Sequence, residues 1–401
     1  MGNAWRVWSV WVWVWVVVGV ALSAHLHLQP EQQQQQQQLE KPDNTSLHTE
    51  TSENVRDERV FIMLAISPDK CNSKDIATTF GTCLTSSDCK QRGGLSSGTC
   101  AKGLGVCCVI TRSCNSATSL NNTYFTQPTA TNNALGACTL TINRMNSNIC
   151  QVRLDFINLE LSQPDFDGVC QDDFLTITGG VSPAPMLCGL NTGQHMYYDL
   201  DPKGGAVKVT VDRSIAASLA LTWTIKVSQI SCDSKFRAPV GCLQYFTDTT
   251  NTVNSFNFAN TNVFINNTRQ LANMDYGVCI KRADNYCGIS WQANYVQGRY
   301  GFTVTDVANA TATNLIGTSY TSSTGDMCAT DFVIIPGGVY KSDTNNNVPA
   351  KSDRYCGLGF PNIVTTKTQP FMLYVTNDQD EALDLGNRGF SLTYRQTTVC
   401  T

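Results

Sequence analysis

The chain has 401 residues, a formal net charge of -4 at pH 7 and only 15% charged residues. No basic run is present, so the phosphate-directed electrostatics that nucleic-acid binding relies on are missing. Eighteen cysteines, an even number clustered after residue 70, imply an oxidising compartment with the thiols paired.

Arg6 precedes an apolar run from Val7 to Leu22 that ends among the small residues Ala21, Ser23 and Ala24, the layout of a secretory signal peptide over 1–24. An uncleaved anchor is the alternative, because Trp and Val are bulky and the run approaches spanning length. No other run is long enough to span a bilayer, so after signal cleavage the chain is expected to be secreted, extracellular and free of membrane spans. Residues 25–66 carry the glutamine tract Gln32 to Gln38 and then mixed charge up to Arg59. Such a segment lacks the apolar side chains to offset its ordering entropy and reads as a disordered spacer. Val60 to Ile66 is apolar and leads into the first folded unit.

Between Cys71 and Cys108 lie six cysteines, ending in the pair Cys107-Cys108, together with several glycines. So short a segment buries too little to fold unaided, and three disulfides, each contributing roughly 2–4 kcal/mol, must hold it. Six cysteines suit no tetrahedral zinc site, and the segment has no histidine. A stapled module over 67–112 is expected.

Beyond it the chain repeats itself. Cys170-Gln-Asp-Asp-Phe-Leu-Thr-Ile-Thr-Gly-Gly180 recurs as Cys328-Ala-Thr-Asp-Phe-Val-Ile-Ile-Pro-Gly-Gly338. Each copy is followed by a second half-motif, Leu187-Cys188-Gly189-Leu190 and Tyr355-Cys356-Gly357-Leu358, and then by Cys232 or Cys400 at the same spacing. Two homologous units follow, 113–232 and 242–401, joined by a short linker over 233–241 with Pro239. The apolar residues alternate (Val152, Leu154, Phe156; Val207, Val209, Val211; Leu219, Leu221, Trp223, Ile225, Val227), which reads as short half-buried strands. The stretch from Cys287 to Cys328 is about twice as long as its counterpart from Cys150 to Cys170. It is expected to form surface loops.

Strand, cysteine pair and glycine turn in this order resemble the CUB domain, an extracellular β-sandwich found in insect and crustacean secreted proteins. The closing strand Arg388-Gly-Phe-Ser-Leu-Thr-Tyr394 matches the family's glycine-phenylalanine ending, whereas Ala220 to Ile225 of the first unit lacks the glycine. The six-cysteine module, with Gly103-Leu104-Gly105-Val106 before its terminal pair, is similar to the clip-type modules of arthropod secreted proteases and their relatives. Together the resemblances imply an all-β chain, two CUB-like jelly-roll β-sandwiches preceded by a small disulfide-rich module. The clip resemblance implies disulfides Cys71 with Cys107, Cys83 with Cys100 and Cys89 with Cys108. The CUB resemblance implies Cys114 with Cys138, Cys170 with Cys188, Cys242 with Cys279 and Cys328 with Cys356. Of the remaining four, Cys150 and Cys287 open strands while Cys232 and Cys400 close the last strand of their units. Parity therefore pairs Cys150 with Cys232 and Cys287 with Cys400. The rival is pairing across the hairpins, Cys138 with Cys150 and Cys279 with Cys287, which are close enough in sequence.

Many CUB domains hold calcium, and the resemblance carries that ligand set onto Glu160, Asp173 and Asp212 of the first unit, with main-chain carbonyls and water completing the shell. The alternative is that Asp173 orders its loop by accepting main-chain hydrogen bonds. In the second unit Asp331 is kept, but Trp291 to Tyr295 offers no glutamate, so no calcium is expected there. Calcium in the first unit is the one cofactor under consideration. Sequons at Asn44, Asn121, Asn266 and Asn309 are N-glycan candidates.

Histidine is nearly absent: His25, His27 and His48 precede the first module, and His195 stands alone in the folded part. The chain has no Gly-Asp-Ser-Gly-Gly and no H-E-x-x-H, and its folded part holds a single histidine, so the nucleophile-base and zinc-hydrolase constellations are missing. Asp172 and Asp173, adjacent on a strand, point to opposite faces and cannot flank one glycosidic bond. The sequence therefore reads as a secreted non-catalytic protein whose CUB-like units recognise an extracellular protein or glycan. The alternatives are a regulator or cofactor of an extracellular protease cascade and a structural component of cuticle or matrix.

Overall fold

Alternation of apolar and polar side chains lays down the strands, and a computed structural model describes residues 66–74, 79–128, 136–213, 221–258, 269–294, 301–304, 318–341, 349–379 and 388–399. The expected signal peptide and glutamine-rich spacer, the sequons at Asn44, Asn266 and Asn309, and Cys400 lie outside these residues.

The stapled module contains β1 (Lys70–Asn72), β2 (Phe80–Leu84), helix α1 (Ser86–Gln91), β3 (Leu95–Cys100) and β4 (Gly105–Arg112). Thr85 caps α1, its hydroxyl accepting from the Asp88 N–H at 3.0 Å. Disulfides join Cys71 to Cys107, Cys83 to Cys100 and Cys89 to Cys108. The module is not a separate bead. Strand β4 pairs with β2 and β3 through its first half, and its second half runs parallel to β6 (Thr123–Thr126) of the first sandwich, with Thr111 opposite Tyr124. One sheet thus runs from the module into the sandwich.

The first sandwich adds β5 (Ser116–Thr118), β7 (Gly136–Ile142), β8 (Ile149–Glu160), β9 (Asp173–Thr178), β10 (His195–Asp199), β11 (Val207–Arg213) and β12 (Thr222–Ser231). One layer has the order β5-β7-β11-β9, and the other continues from β4 as β6-β12-β8-β10. In β8, Val152, Leu154 and Phe156 face the core while Arg153 and Asp155 face away; in β12, Trp223, Ile225 and Val227 face in and Lys226 faces away.

The second sandwich comprises β13 (Cys242–Phe246), β14 (Thr250–Asn254), β15 (Asp275–Ile280), β16 (Gly288–Ala293), β17 (Phe302–Thr303), β18 (Ser322–Thr324), β19 (Phe332–Ile334), β20 (Val339–Lys341), β21 (Pro349–Lys351), β22 (Arg354–Gly357), β23 (Val364–Thr366), β24 (Phe371–Thr376) and β25 (Gly389–Thr397). Its layers, β13-β15-β24-β19 and β14-β25-β16-β23, repeat the strand order of the first sandwich, with β22 and β18 extending one layer and β20 and β21 the other. The sequence repeat is thus a repeat of architecture. The long stretch between Cys287 and Cys328 is more than loop. It supplies β17, where Phe302 is buried and stacks at 5.1 Å against Phe360, and β18, which pairs with β22. Apolar burial at Phe302 and Val304 draws this segment into the core.

In the sandwiches Cys114 is bonded to Cys138, Cys150 to Cys232, Cys170 to Cys188, Cys242 to Cys279 and Cys328 to Cys356. Cys287 is also disulfide-bonded. Bonds across the hairpins, Cys138 to Cys150 or Cys279 to Cys287, are not formed. Among the described residues no helix is long and apolar enough to cross a membrane.

The two sandwiches share one continuous cluster of buried apolar side chains. Polar contacts fix their register. The Asn257 N–H donates to Asn191 Oδ1 at 2.9 Å, the Leu190 N–H donates to Asn257 Oδ1 at 2.8 Å, and Gln194 Nε2 donates to the Ser255 carbonyl at 3.0 Å. Gly189 of the repeated Cys-Gly-Leu lies against Asn257. Its φ is +74°, and a Cβ there would sit 2.0 Å from Asn257 Oδ1. The linker is held as well: Gln151 Oε1 accepts from the Ala238 N–H at 2.9 Å and Gln151 Nε2 donates to its carbonyl at 3.2 Å.

Candidate functional site

Cross-strand register gathers polar side chains on the outer face of the first sandwich. Tyr124 on β6 stands opposite Lys226 on β12, Lys226 opposite Asp155 on β8, and Asp155 opposite His195 on β10. Residues directly opposite share a face, so these four form one row across the sheet. A second row, two residues along, holds Ser228, Arg153 and Tyr197. From β6 to β10 is three inter-strand steps, about 14 Å.

Both ends of the first row are covered by neighbouring modules. At Tyr124 the stapled module closes over the sheet: the Phe80 N–H donates to the Tyr124 hydroxyl at 2.8 Å, that hydroxyl donates to the Phe80 carbonyl at 2.9 Å, and Lys70 Nζ lies 3.6 Å from the Phe80 ring centroid. At His195 the second sandwich closes over it. His195 stacks edge-on against Phe246 at 4.9 Å, and its Nε2 lies 3.0 Å from the Tyr245 carbonyl and 3.2 Å from the Tyr245 N–H. Which of the two it bonds depends on the tautomer, donating to the carbonyl or accepting from the N–H. Tyr197 meets Tyr245 at 6.0 Å, and Ile230 and Ala238 of the linker region pack with them, shutting one end of the face. The result is a trough with a polar floor and walls from three parts of the chain.

The electrostatics of this floor are uneven. Arg153 holds Asp155, its Nε donating to Oδ1 at 2.7 Å, and its Nη1 donates to the Tyr197 hydroxyl at 2.7 Å. Burial pulls the Arg153 guanidinium down, but Asp155 and Tyr197 outweigh it and hold the pKa above its ordinary value. Burial lowers the Lys226 ammonium, with Asp155 opposing and the charges of Lys70 and Arg153 adding to the depression. Among the described residues Lys226 makes no ion pair of its own. Burial also lowers His195, to about 4, with Arg153 assisting, so the ring is neutral at pH 7. Its nitrogen faces a main-chain group rather than a nucleophile, and the geometry offers no acid-base pair.

The carboxylates named for calcium are not brought together. Glu160 is exposed at the end of β8, in the sheet that carries the trough. Asp173 and Asp212 belong to the opposite layer but to different faces of it. Asp173 is fully buried beside Arg213, whose Nε lies 4.0 Å from its Oδ1. Asp212 is opposite Phe174 and Ala137 and points away from the core. The reason is strand alternation: Val207, Val209 and Val211 face inward, so Arg213 does too and Asp212 cannot. Among the described residues no three His, Cys, Asp or Glu side chains converge as a metal site. The repeated aspartate ties loops instead. Asp173 Oδ2 accepts from the Ser162 hydroxyl at 2.5 Å, and Asp331 Oδ1 accepts from the Asp378 N–H at 2.9 Å while its Oδ2 accepts from Gln270 Nε2 at 3.0 Å. The sequon at Asn121 is half-buried; its Oδ1 accepts from the Gln229 N–H at 2.8 Å, and Thr123 is fully buried.

No curated protein matches the chain. Among solved structures it is similar to the CUB1-EGF-CUB2 domains of rat MASP-1, at 12% identity, covering 71% of this chain and 99% of that one with a TM-score of 0.24. It is also similar to the CUB1-EGF-CUB2 domain of human MASP-1/3, at 13% identity, covering 68% and 98% with a TM-score of 0.22. Residues 239–397, the second sandwich, match the family model of the animal CUB domain.

Proposed function

We infer that this chain is a secreted, non-catalytic binding protein that recognises an extracellular protein or glycan through its paired sandwiches. The observation that carries this reading is the outer face of the first sandwich walled at both ends by the stapled module and the second sandwich, a partly desolvated surface with unevenly balanced charge and no nucleophile-base geometry. The CUB match over 239–397 supports it, because that domain is a protein-interaction module, and the density of disulfides fits an extracellular setting. The trough needs three modules held rigidly, which is what preorganised recognition requires.

Capture from native extracellular fluid tests it, with the full-length secreted protein as bait and a reduced, alkylated bait as control. The expected outcome is a partner, identified by mass spectrometry, that is retained saturably on the native bait and lost on the unfolded one. Identical material on both baits would end the reading.

A further inference from the structure

The trough itself points to a class of ligand. Asp155 is the one carboxylate in the two floor rows, and Arg153 holds it at 2.7 Å. That leaves Lys226, half-buried on the floor, without an ion pair among the described residues, while Lys70 stands on the wall beside it. A half-buried ammonium beside two further cations and a single claimed carboxylate is an arrangement that an incoming anion completes. The trough's walls stand on β6 and β10, three strand spacings or about 14 Å apart, and leave β12 and β8 open between them. Its walls carry Phe80 on one side and Phe246 on the other, apolar surface suited to side chains flanking a charged residue rather than to a densely sulfated polymer.

We propose that the trough docks an acidic, extended segment of a protein partner, with one of its carboxylates ion-paired to Lys226 beneath Lys70. This rests on the reading of the chain as a binding protein and names the chemistry of its partner. Electrostatic complementarity of this kind sets specificity and falls with ionic strength.

The test uses the full secreted chain and a fluorescein-labelled hexaglutamate peptide, followed by anisotropy at low and at physiological salt, beside hexaglutamine and a sulfated heparin hexasaccharide. Hexaglutamate is expected to bind saturably and hexaglutamine not to bind. Lys226→Met, which keeps the aliphatic stem and the packing, is expected to weaken hexaglutamate at least tenfold without lowering the melting temperature. Lys203→Met, at an exposed turn, is expected to change nothing. Absence of hexaglutamate binding, equal binding by Lys226→Met, or binding of the hexasaccharide alone would each overturn the proposal. The two readings fail separately. A partner captured from extracellular fluid equally by wild type and Lys226→Met removes the trough and leaves the binding protein; no partner on either removes both.

Discussion

At the scale of single residues, His195 and Gly189 are placed where ordinary side-chain chemistry would be costly. His195 is 8% exposed, and burial holds its pKa near 4 against an ordinary 6.5. The unfolded chain therefore takes up a proton as pH falls below 6.5, while the folded chain resists until about 4. Stability is lost across that window, by about 3 kcal/mol for a shift of this size. His195→Gln is expected to flatten the fall in melting temperature between pH 6.5 and 4 relative to wild type, since the two proteins differ at this one group. Parallel curves for the two would refute the assignment. Gly189 offers a sharper test. Any side chain there meets Asn257 and must also accept a φ of +74°, so Gly189→Ala is expected to cost more than about 2 kcal/mol, measurable by denaturant unfolding. Its sequence counterpart Gly357 has a φ of +105° and approaches the Thr321 carbonyl instead. One repeated letter thus serves an interface in the first copy and the close pairing of β22 with β18 in the second.

At the scale of elements, β4 decides how the first sandwich meets solvent. By pairing with β6 it covers an edge that would otherwise present unpaired N–H and C=O groups. A chain beginning at Ser113 is expected to self-associate where the full chain does not, as light scattering would register; a monodisperse fragment would contradict this role. None of this pairing was legible in the sequence, because a parallel contact between a stapled module and a sandwich leaves no periodicity of its own. Much else was legible. The repeated C-x-x-D-F motif and the alternation in β8, β11 and β12 carried the doubling of the unit and its short strands, while the order of the strands within the sheets came only with the structure. The same alternation bears on Asp212, since the run Val207, Val209, Val211 already assigns it to the outer face. The trough was hidden for another reason: Lys226, Asp155 and His195 are ordinary outward residues on separate strands, and only register makes them neighbours. Likewise Phe302 sits in a stretch whose length suggested loops, yet tertiary burial recruits it to the core.

At the scale of the whole molecule, the apolar cluster that runs through both sandwiches and the polar pins at Asn257, Gln194 and Gln151 make two units behave as one. Scanning calorimetry is expected to show both sandwiches melting in a single transition; two resolved peaks would mean that the interface is weaker than its contacts imply. The crossing of β4 from module to sandwich has a consequence for exposure to trypsin-like enzymes. The basic residue at that junction, Arg112, turns its guanidinium back onto the module, donating to the Thr111 and Arg92 carbonyls at 2.8 Å each. A nick after it would still leave β4 laced into the sheet and Phe80 bonded to Tyr124. The cut protein stays assembled, and its amino-terminal fragment comes away only on unfolding.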